Sequence, residues 1–146
     1  MSRVLVIDDE ESVLRAVKRR LERGGYAVET AGSAADGVGM IHDAEPAFDV
    51  IVTDMSMDTA DSGLQVLHAA TARDMFSEVI VMTAYGNVAN AVECMRRGAF
   101  DYIEKNSPDV DVYEVIAEKV DSALMRRRRD IRTVDLWEAL KGQANP

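Results

Sequence analysis

Four apolar runs along the chain each end on a polar or charged group. Val4-Leu5-Val6-Ile7 is followed at once by Asp8, Asp9 and Glu10, and Val50-Ile51-Val52 passes through Thr53 to Asp54. Val79-Ile80-Val81-Met82 ends on Thr83, and Phe100-Asp101-Tyr102-Ile103-Glu104 ends on Lys105. A short continuous apolar run closed by a polar residue is the pattern of a strand buried on both faces. Tyr26 to Thr30 reads as a further strand.

Amphipathic segments separate the strands. From Glu10 to Arg23, Val13, Leu14, Val17 and Leu21 recur at helical spacing, with acidic residues at the start and Gly24-Gly25 at the end. Ser33 with Asp36 predicts a capped helix running toward His42. Gly63 to Ala72 is predicted helical, and Asn87 is placed as the cap of a helix that reaches Arg97 and stops at Gly98. Ser107-Pro108 is expected to open a long last helix, because proline suits the first helical turn. Strands alternating with helices imply βαβ units, and so an α/β fold: a doubly wound, five-stranded parallel sheet with five flanking helices.

The last twenty or so residues leave two options. Val120, Leu124, Ile131, Val134 and Trp137 could extend one helical stripe past Arg126-Arg127-Arg128-Arg129, as in a coiled-coil linker. A frayed extension or a separate small helix fits equally well. Residues 1–124 are expected to form the domain and 125–146 a helical extension or linker, with Ala144-Asn145-Pro146 disordered.

Composition narrows the function. With 146 residues, 47% of them apolar and 29% charged, the chain suits a single domain with a short appendage. No apolar stretch approaches the roughly 20 residues of a membrane span, and Asp8 comes too early for a signal peptide. The expected setting is cytoplasmic. Cys94 is the lone cysteine, on a predicted helix with Val88, Val92 and Met95, and is read as a small buried hydrophobe. His42 and His68 form no nucleophilic or metal-binding constellation. The net charge of −9 divides into −12 through Met125 and +3 from Arg126 onward. An acidic body does not invite nucleic acid. The four arginines are the one candidate for phosphate contact, and are read as a solvated helix end favourable to the dipole.

In an open α/β sheet, ligands bind outside the carboxyl ends of the strands. The four run ends therefore deliver Asp8, Asp9, Asp54, Thr83 and Lys105 to one rim. Taken singly, each has an ordinary explanation as a helix-end anion, turn residue, cap or surface lysine. Together they form a set that can hold a divalent cation and a phosphoryl group. Crowded carboxylates favour proton uptake or a cation, hard oxygen ligands select Mg²⁺, and a carboxylate can act as the nucleophile.

Through Val-Leu-Val-Ile-Asp8-Asp9-Glu, Val-Thr-Asp54, Val-Met-Thr83-Ala-Tyr-Gly and Gly-Ala-Phe-Asp-Tyr102-Ile-Glu-Lys105, the chain resembles the receiver (CheY-like) domain of bacterial two-component response regulators. The resemblance covers roughly Arg3 to Leu124, and Val79 to Lys105 is similar in wording to the receivers of NtrC-type, enhancer-binding transcription activators. It implies a flavodoxin-like strand order 2-1-3-4-5. It also implies that Asp54 accepts a phosphoryl group, that Asp9 and Asp54 bind Mg²⁺ or Mn²⁺ directly, that Asp8 acts in the outer shell, and that the Ser56 carbonyl completes the shell. Lys105 would pair with the acceptor, Thr83 would bind the phosphoryl oxygen, and Tyr102 would turn inward and alter the face of the fourth helix, fifth strand and fifth helix. The implied partner is a sensor histidine kinase or phosphotransfer protein. A homodimer is possible, with no direct nucleic-acid or membrane binding, and the only catalysis is of the domain's own phosphorylation and dephosphorylation.

Three positions depart from the family pattern. Met57-Asp58 stands where Met-Pro is usual, the loop to Gly63 is one residue longer, and Asn106 replaces the proline that follows the lysine, so the cis peptide usual there is not expected. Asp58 and Asp61 are read as surface residues; were they to face the pocket, Asp58→Pro would speed phosphorylation. These departures leave room for a second class of function, a phosphorylation-independent interaction module. A phosphatase of the haloacid-dehalogenase type fits poorly, because no aspartate follows Asp8 at a two-residue interval.

Overall fold

The computed structural model describes residues 1–84 and 87–144. The chain alternates strand and helix throughout: β1 (Arg3–Ile7), α1 (Glu11–Arg23), β2 (Ala27–Ala31), α2 (Ala34–Asp43), β3 (Val50–Asp54), α3 (Ser62–Arg73), β4 (Glu78–Thr83), α4 (Val88–Arg96), β5 (Asp101–Glu104) and α5 (Val112–Ala144). All strand pairs are parallel, in the order β2-β1-β3-β4-β5. The expected fold class and strand order hold.

Alternation along the strands divides the core in two. Val4, Val6, Val50, Val52, Ile80 and Met82 face α1 and α5, packing on Val17, Leu21, Ile116 and Val120. Leu5, Ile7, Ile51, Val79 and Val81 face α2, α3 and α4, packing on Ile41, Val66, Leu67 and Cys94. Burial on both faces explains why these strands read as unbroken apolar runs. Cys94 is fully buried, with its thiol 3.4 Å from Met55 Sδ, as a small core residue. No helix among the described residues is long and apolar enough to cross a membrane.

Helix starts follow the predicted chemistry in part. Ser33 Oγ accepts from Asp36 N at 3.1 Å and caps α2. Asn87 occupies the cap position of α4, but its side chain makes no capping hydrogen bond. The expected opening of the last helix at Ser107-Pro108 is wrong. Asp109 takes a left-handed φ of 60°, which breaks any helix there. The turn is instead set by Asp111, whose Oδ1 accepts from Tyr113 N (3.1 Å) and Glu114 N (3.4 Å).

α5 continues without interruption to Ala144, so the option of a separate small helix falls away. Ala144 is its last residue; Asn145 and Pro146, also expected to be disordered, lie outside the described residues. The view of the four arginines as a solvated helix end is likewise overturned, because they sit mid-helix and three of them reach the body. Arg126 binds Glu78 with both Nε and Nη2, and its guanidinium lies 4.6 Å from the Phe100 ring centroid. Arg127 donates to Asp49 (2.9 Å) and Asp74 (3.0 Å), and Arg128 to Ser2 Oγ (3.2 Å). Asp49 and Glu78 stand at the amino ends of β3 and β4, so these arginines fasten α5 across the sheet opposite the acidic rim.

Candidate functional site

The site follows from parallel register. Ile7 pairs with Thr53, Asp54 with Met82, and Thr83 with Glu104, which brings the carboxyl ends of β1, β3, β4 and β5 level. Asp8, Asp54, Thr83 and Lys105 thus meet as expected, since each run ends one position from its neighbour's end. Lys105 N donates to Thr83 O at 2.8 Å, fixing the lysine's backbone to β4.

The Lys105 ammonium lies 2.8 Å from Asp8 Oδ2, 3.3 Å from Asp54 Oδ2 and 3.9 Å from Glu10 Oε1. Carboxylate oxygens of Asp8, Asp9 and Asp54 fall within 4.8 Å of one another. Asp8 has no exposed surface and Asp54 only 8%, whereas Asp9 faces solvent. Three hard anionic oxygens, one of them open to solvent, fit a small divalent cation that keeps part of its water shell.

Burial dominates the electrostatics at Asp54. It raises the Asp54 pKa to about 6, against the pull of Lys105 and with further upward pushes from Asp8 and Asp9. Burial also pulls the Lys105 ammonium downward, but its hydrogen bond to Asp8 and the charges of Asp54, Asp8 and Glu10 carry its pKa above the ordinary lysine value. The lysine therefore stays charged against carboxylates that outnumber it, and the cluster keeps a negative excess.

Thr83 is 1% exposed, and its hydroxyl has no hydrogen-bond partner among the described residues. A buried hydroxyl left unsatisfied carries a desolvation cost with no return. Tyr102 is half-buried on β5, paired in register with Val81. Strand alternation turns it away from Ile103, which packs on the α1/α5 side.

The loop after Asp54 folds back on the strand. Gly63 N donates to Met55 O at 2.8 Å, and a Cβ on Gly63 would lie 3.0 Å from Met55 Cα and 3.3 Å from Asp54 O. Only glycine allows that approach without displacing backbone. The extra loop residue is absorbed by a local ring in which Met57 N and Ser62 Oγ both donate to Thr59 O. Asp58 and Asp61 are exposed. The Thr59 hydroxyl, 2.7 Å from Asp61 Oδ1, holds the Asp61 carboxyl below its ordinary pKa. The surface reading of both residues fits. Among the described residues only Glu45–Pro46 is cis, so Lys105–Asn106 is trans.

Ser56 is exposed, and its hydroxyl donates to Ala60 O at 3.1 Å. It lines a cleft of about 370 Å³ together with Asp54, Lys105, Glu10, Asn87 and Asn106. Of these, Glu10 and Asn87 were not expected at the site, and Asn106 was marked only as a departure from the family pattern. Glu10 was legible only as one more carboxylate beside Asp9, and Asn87 only as a cap.

The comparisons agree with this geometry. Residues 4–117 match the family model described as the response regulator receiver domain. The acid tolerance regulatory protein ActR of Rhizobium meliloti (strain 1021) is 34% identical over 116 residues, covering 80% of this chain and 58% of ActR. The regulatory protein AtoC of Escherichia coli (strain K12) is 31% identical over 132 residues, covering 90% of this chain and 28% of AtoC. A response regulator receiver domain protein from Clostridium thermocellum superposes with a TM-score of 0.77 at 30% identity, covering 88% of this chain and 98% of that one. The chain belongs to the response regulator receiver domain family of two-component signalling. It spans little more than half the length of ActR and under a third of AtoC.

Proposed function

We propose that this receiver is a switch operated by phosphorylation of Asp54. The observation that carries the proposal is one juxtaposition: a nearly buried carboxylate at the end of β3, an ammonium 3.3 Å away, two more carboxylates within cation-sharing distance, and on the next strand a buried hydroxyl with no partner among the described residues.

An Asp54 oxygen attacks the phosphorus of a phosphohistidine on a sensor histidine kinase or phosphotransfer protein. The phosphorus–nitrogen bond breaks, its electron pair leaves with the imidazole, and Asp54 carries the phosphoryl group as an acyl phosphate. Phosphoryl transfer demands mainly in-line positioning and charge neutralisation. Asp9 and Asp54 would hold Mg²⁺ or Mn²⁺ directly, with Asp8 through water and the Ser56 carbonyl completing the shell. That ion supplies charge neutralisation to the phosphoryl oxygens. Lys105 neutralises the near oxygen of Asp54. Thr83 gains in the nearly dianionic phosphoryl group the acceptor it lacks. Tyr102 moves with it, and the α4/β5/α5 face changes.

The output is a change in protein contacts rather than turnover of an external substrate. The chain catalyses only gain and loss of its own phosphoryl group. With Arg126 and Arg127 committed to carboxylates, the acidic body has little to offer nucleic acid or a membrane surface, and a cytoplasmic setting suits the partner. The lengthened loop and Asn106 favour a second reading, a phosphorylation-independent interaction module. Intact-mass analysis after acetyl phosphate and Mg²⁺ separates the two. The switch adds one phosphoryl group in a Mg²⁺-dependent way, absent from Asp54→Asn; no adduct, with no beryllofluoride complex either, favours the module.

A further inference from the structure

α5 leaves the body beside Phe100, the residue that leads into β5, and the corner between them is hollow. The groove there has a volume of about 910 Å³ and follows α5 from Ser122 to Arg132. We propose that it is a binding site for a free anionic amphiphile, a single aliphatic chain ending in a carboxylate.

The lining has the two parts such a ligand needs. Phe100, Met125 and Ile131 make an apolar wall, and Arg128, Arg129 and Arg132 edge it. Phe100 is held in place: its N–H donates to Val79 O at 2.7 Å, and the Arg126 guanidinium covers one face of its ring. Met125 is 70% exposed, and an unbranched thioether adapts readily to an apolar guest. Residues three and four apart are neighbours on a helix. Arg128 and Arg129 therefore stand one turn beyond Met125, and Arg132 one turn beyond them. Phe100 and Met125 lie at the root, and the guanidinium groups follow toward the far end.

Charge selects an anion. Arg126 and Arg127 are committed to carboxylates of the body, but the arginines that edge the groove are not. Arg128 donates to the neutral Ser2 hydroxyl, Arg129 lies 3.7 Å from Asp130 Oδ1, and Arg132 forms no ion pair among the described residues. In a chain of net charge −9, these forks remain open to a carboxylate.

Shape selects the chain. From Ser122 to Arg132 the helix rises ten steps, about 15 Å, a length that suits a linear tail. The volume falls within the range of small-molecule sites, about 300–1,000 Å³. The acidic body repels an anionic membrane, so the ligand is a free amphiphile and not a lipid within a bilayer. Once occupied, the groove ties the root of the α5 extension to the edge of β4 and β5. Phe100 precedes β5, at the end of the sheet away from Asp54, so the site stands apart from the phosphorylation proposal.

The test is calorimetric titration of the full chain with dodecanoate below its micelle concentration, read alongside the methyl NMR spectrum of protein labelled at methionine. One dodecanoate should bind per chain and shift the Met125 methyl, while that of Met82, buried in the core, stays in place. Arg129→Gln with Arg132→Gln should weaken dodecanoate roughly tenfold, as charge-assisted hydrogen bonds are lost, and leave dodecanol binding unchanged. Met125→Glu sets a carboxylate against the ligand and should weaken binding to a similar degree. These side chains are exposed, so the variants should melt like the unaltered chain. Absence of saturable binding, affinity untouched by the variants, or dodecanol bound as tightly as dodecanoate overturns the proposal. Binding to phosphatidylglycerol vesicles without binding of free dodecanoate overturns it as well.

Discussion

Asp54→Asn should make the fold more stable, by an amount that follows from the surroundings of this carboxyl. In the unfolded chain this carboxyl ionises near 3.8, and in the folded protein near 6, because burial outweighs Lys105. A raised carboxyl pKa means that the folded state binds the proton more tightly. That contribution to stability is complete below the unfolded pKa and is lost as pH rises through the folded one. At about 1.4 kcal/mol per unit, the loss between acid and neutral pH is roughly 3 kcal/mol. Asparagine does not titrate, so the variant escapes the loss. In urea denaturation with EDTA present, its advantage should be about 3 kcal/mol at pH 7.5 and shrink to about 1 kcal/mol at pH 4.5. A thermal scan at pH 7.5 should show a rise on the order of 5–10 °C. Mg²⁺ should narrow the gap by stabilising only the chain that retains Asp54. A variant no more stable at pH 7.5, or one with the same advantage at both pH values, would refute the claim that Asp54 is held as an unfavourable buried anion.

Thr83→Val removes a buried hydroxyl with no partner among the described residues, so the unmodified protein should gain about 1 kcal/mol in urea melts. Beryllofluoride affinity, measured on the same protein, should fall by about tenfold as a charge-assisted hydrogen bond is lost. Arg127→Ala leaves Asp49 and Asp74 without their counter-ion and should cost about 2–4 kcal/mol in urea melts; full rescue by Arg127→Met would mean that the arginine acts only through packing. Gly63→Ala drives a methyl group against the backbone of Met55 and Asp54, and should cost about 1–3 kcal/mol while slowing phosphorylation by acetyl phosphate.

The sheet and its rim were legible because strand ends and site residues coincide in the chain. Each of Val4–Ile7, Val50–Val52 and Val79–Met82 is buried on both faces and stops where chemistry begins. Parallel register then does the rest. The roles of Asp54, Asp9 and Ser56 came from family resemblance; spacing alone supports only an acidic rim. What stayed illegible was non-local. Nothing near Arg127 in sequence announces Asp49 or Asp74, which lie on other elements and meet it only once the sheet has formed. The start of α5 was misplaced for a local reason. Pro108 is compatible with a first helical turn, but Asp109 adopts left-handed backbone and Asp111 offers the better cap. That the Thr83 hydroxyl lacks a partner among the described residues is a property of tertiary packing that no local sequence pattern announces.

The arginine clamp also bears on where this domain can be cut and joined. β3 is five residues long, about 17 Å at strand rise, and it carries carboxylates of opposite fate. Asp49, just before it, is neutralised by α5, while Asp54, at its far end, belongs to the acidic rim. A graft joint placed after Leu124 would strip Arg126 and Arg127 from Glu78, Asp49 and Asp74, and leave three carboxylates facing one another at the floor of the sheet. A joint after Arg128 keeps those pairs inside the transplanted unit. Sensory chimeras built at the later point would inherit a helix whose direction is already fixed by the domain that drives it.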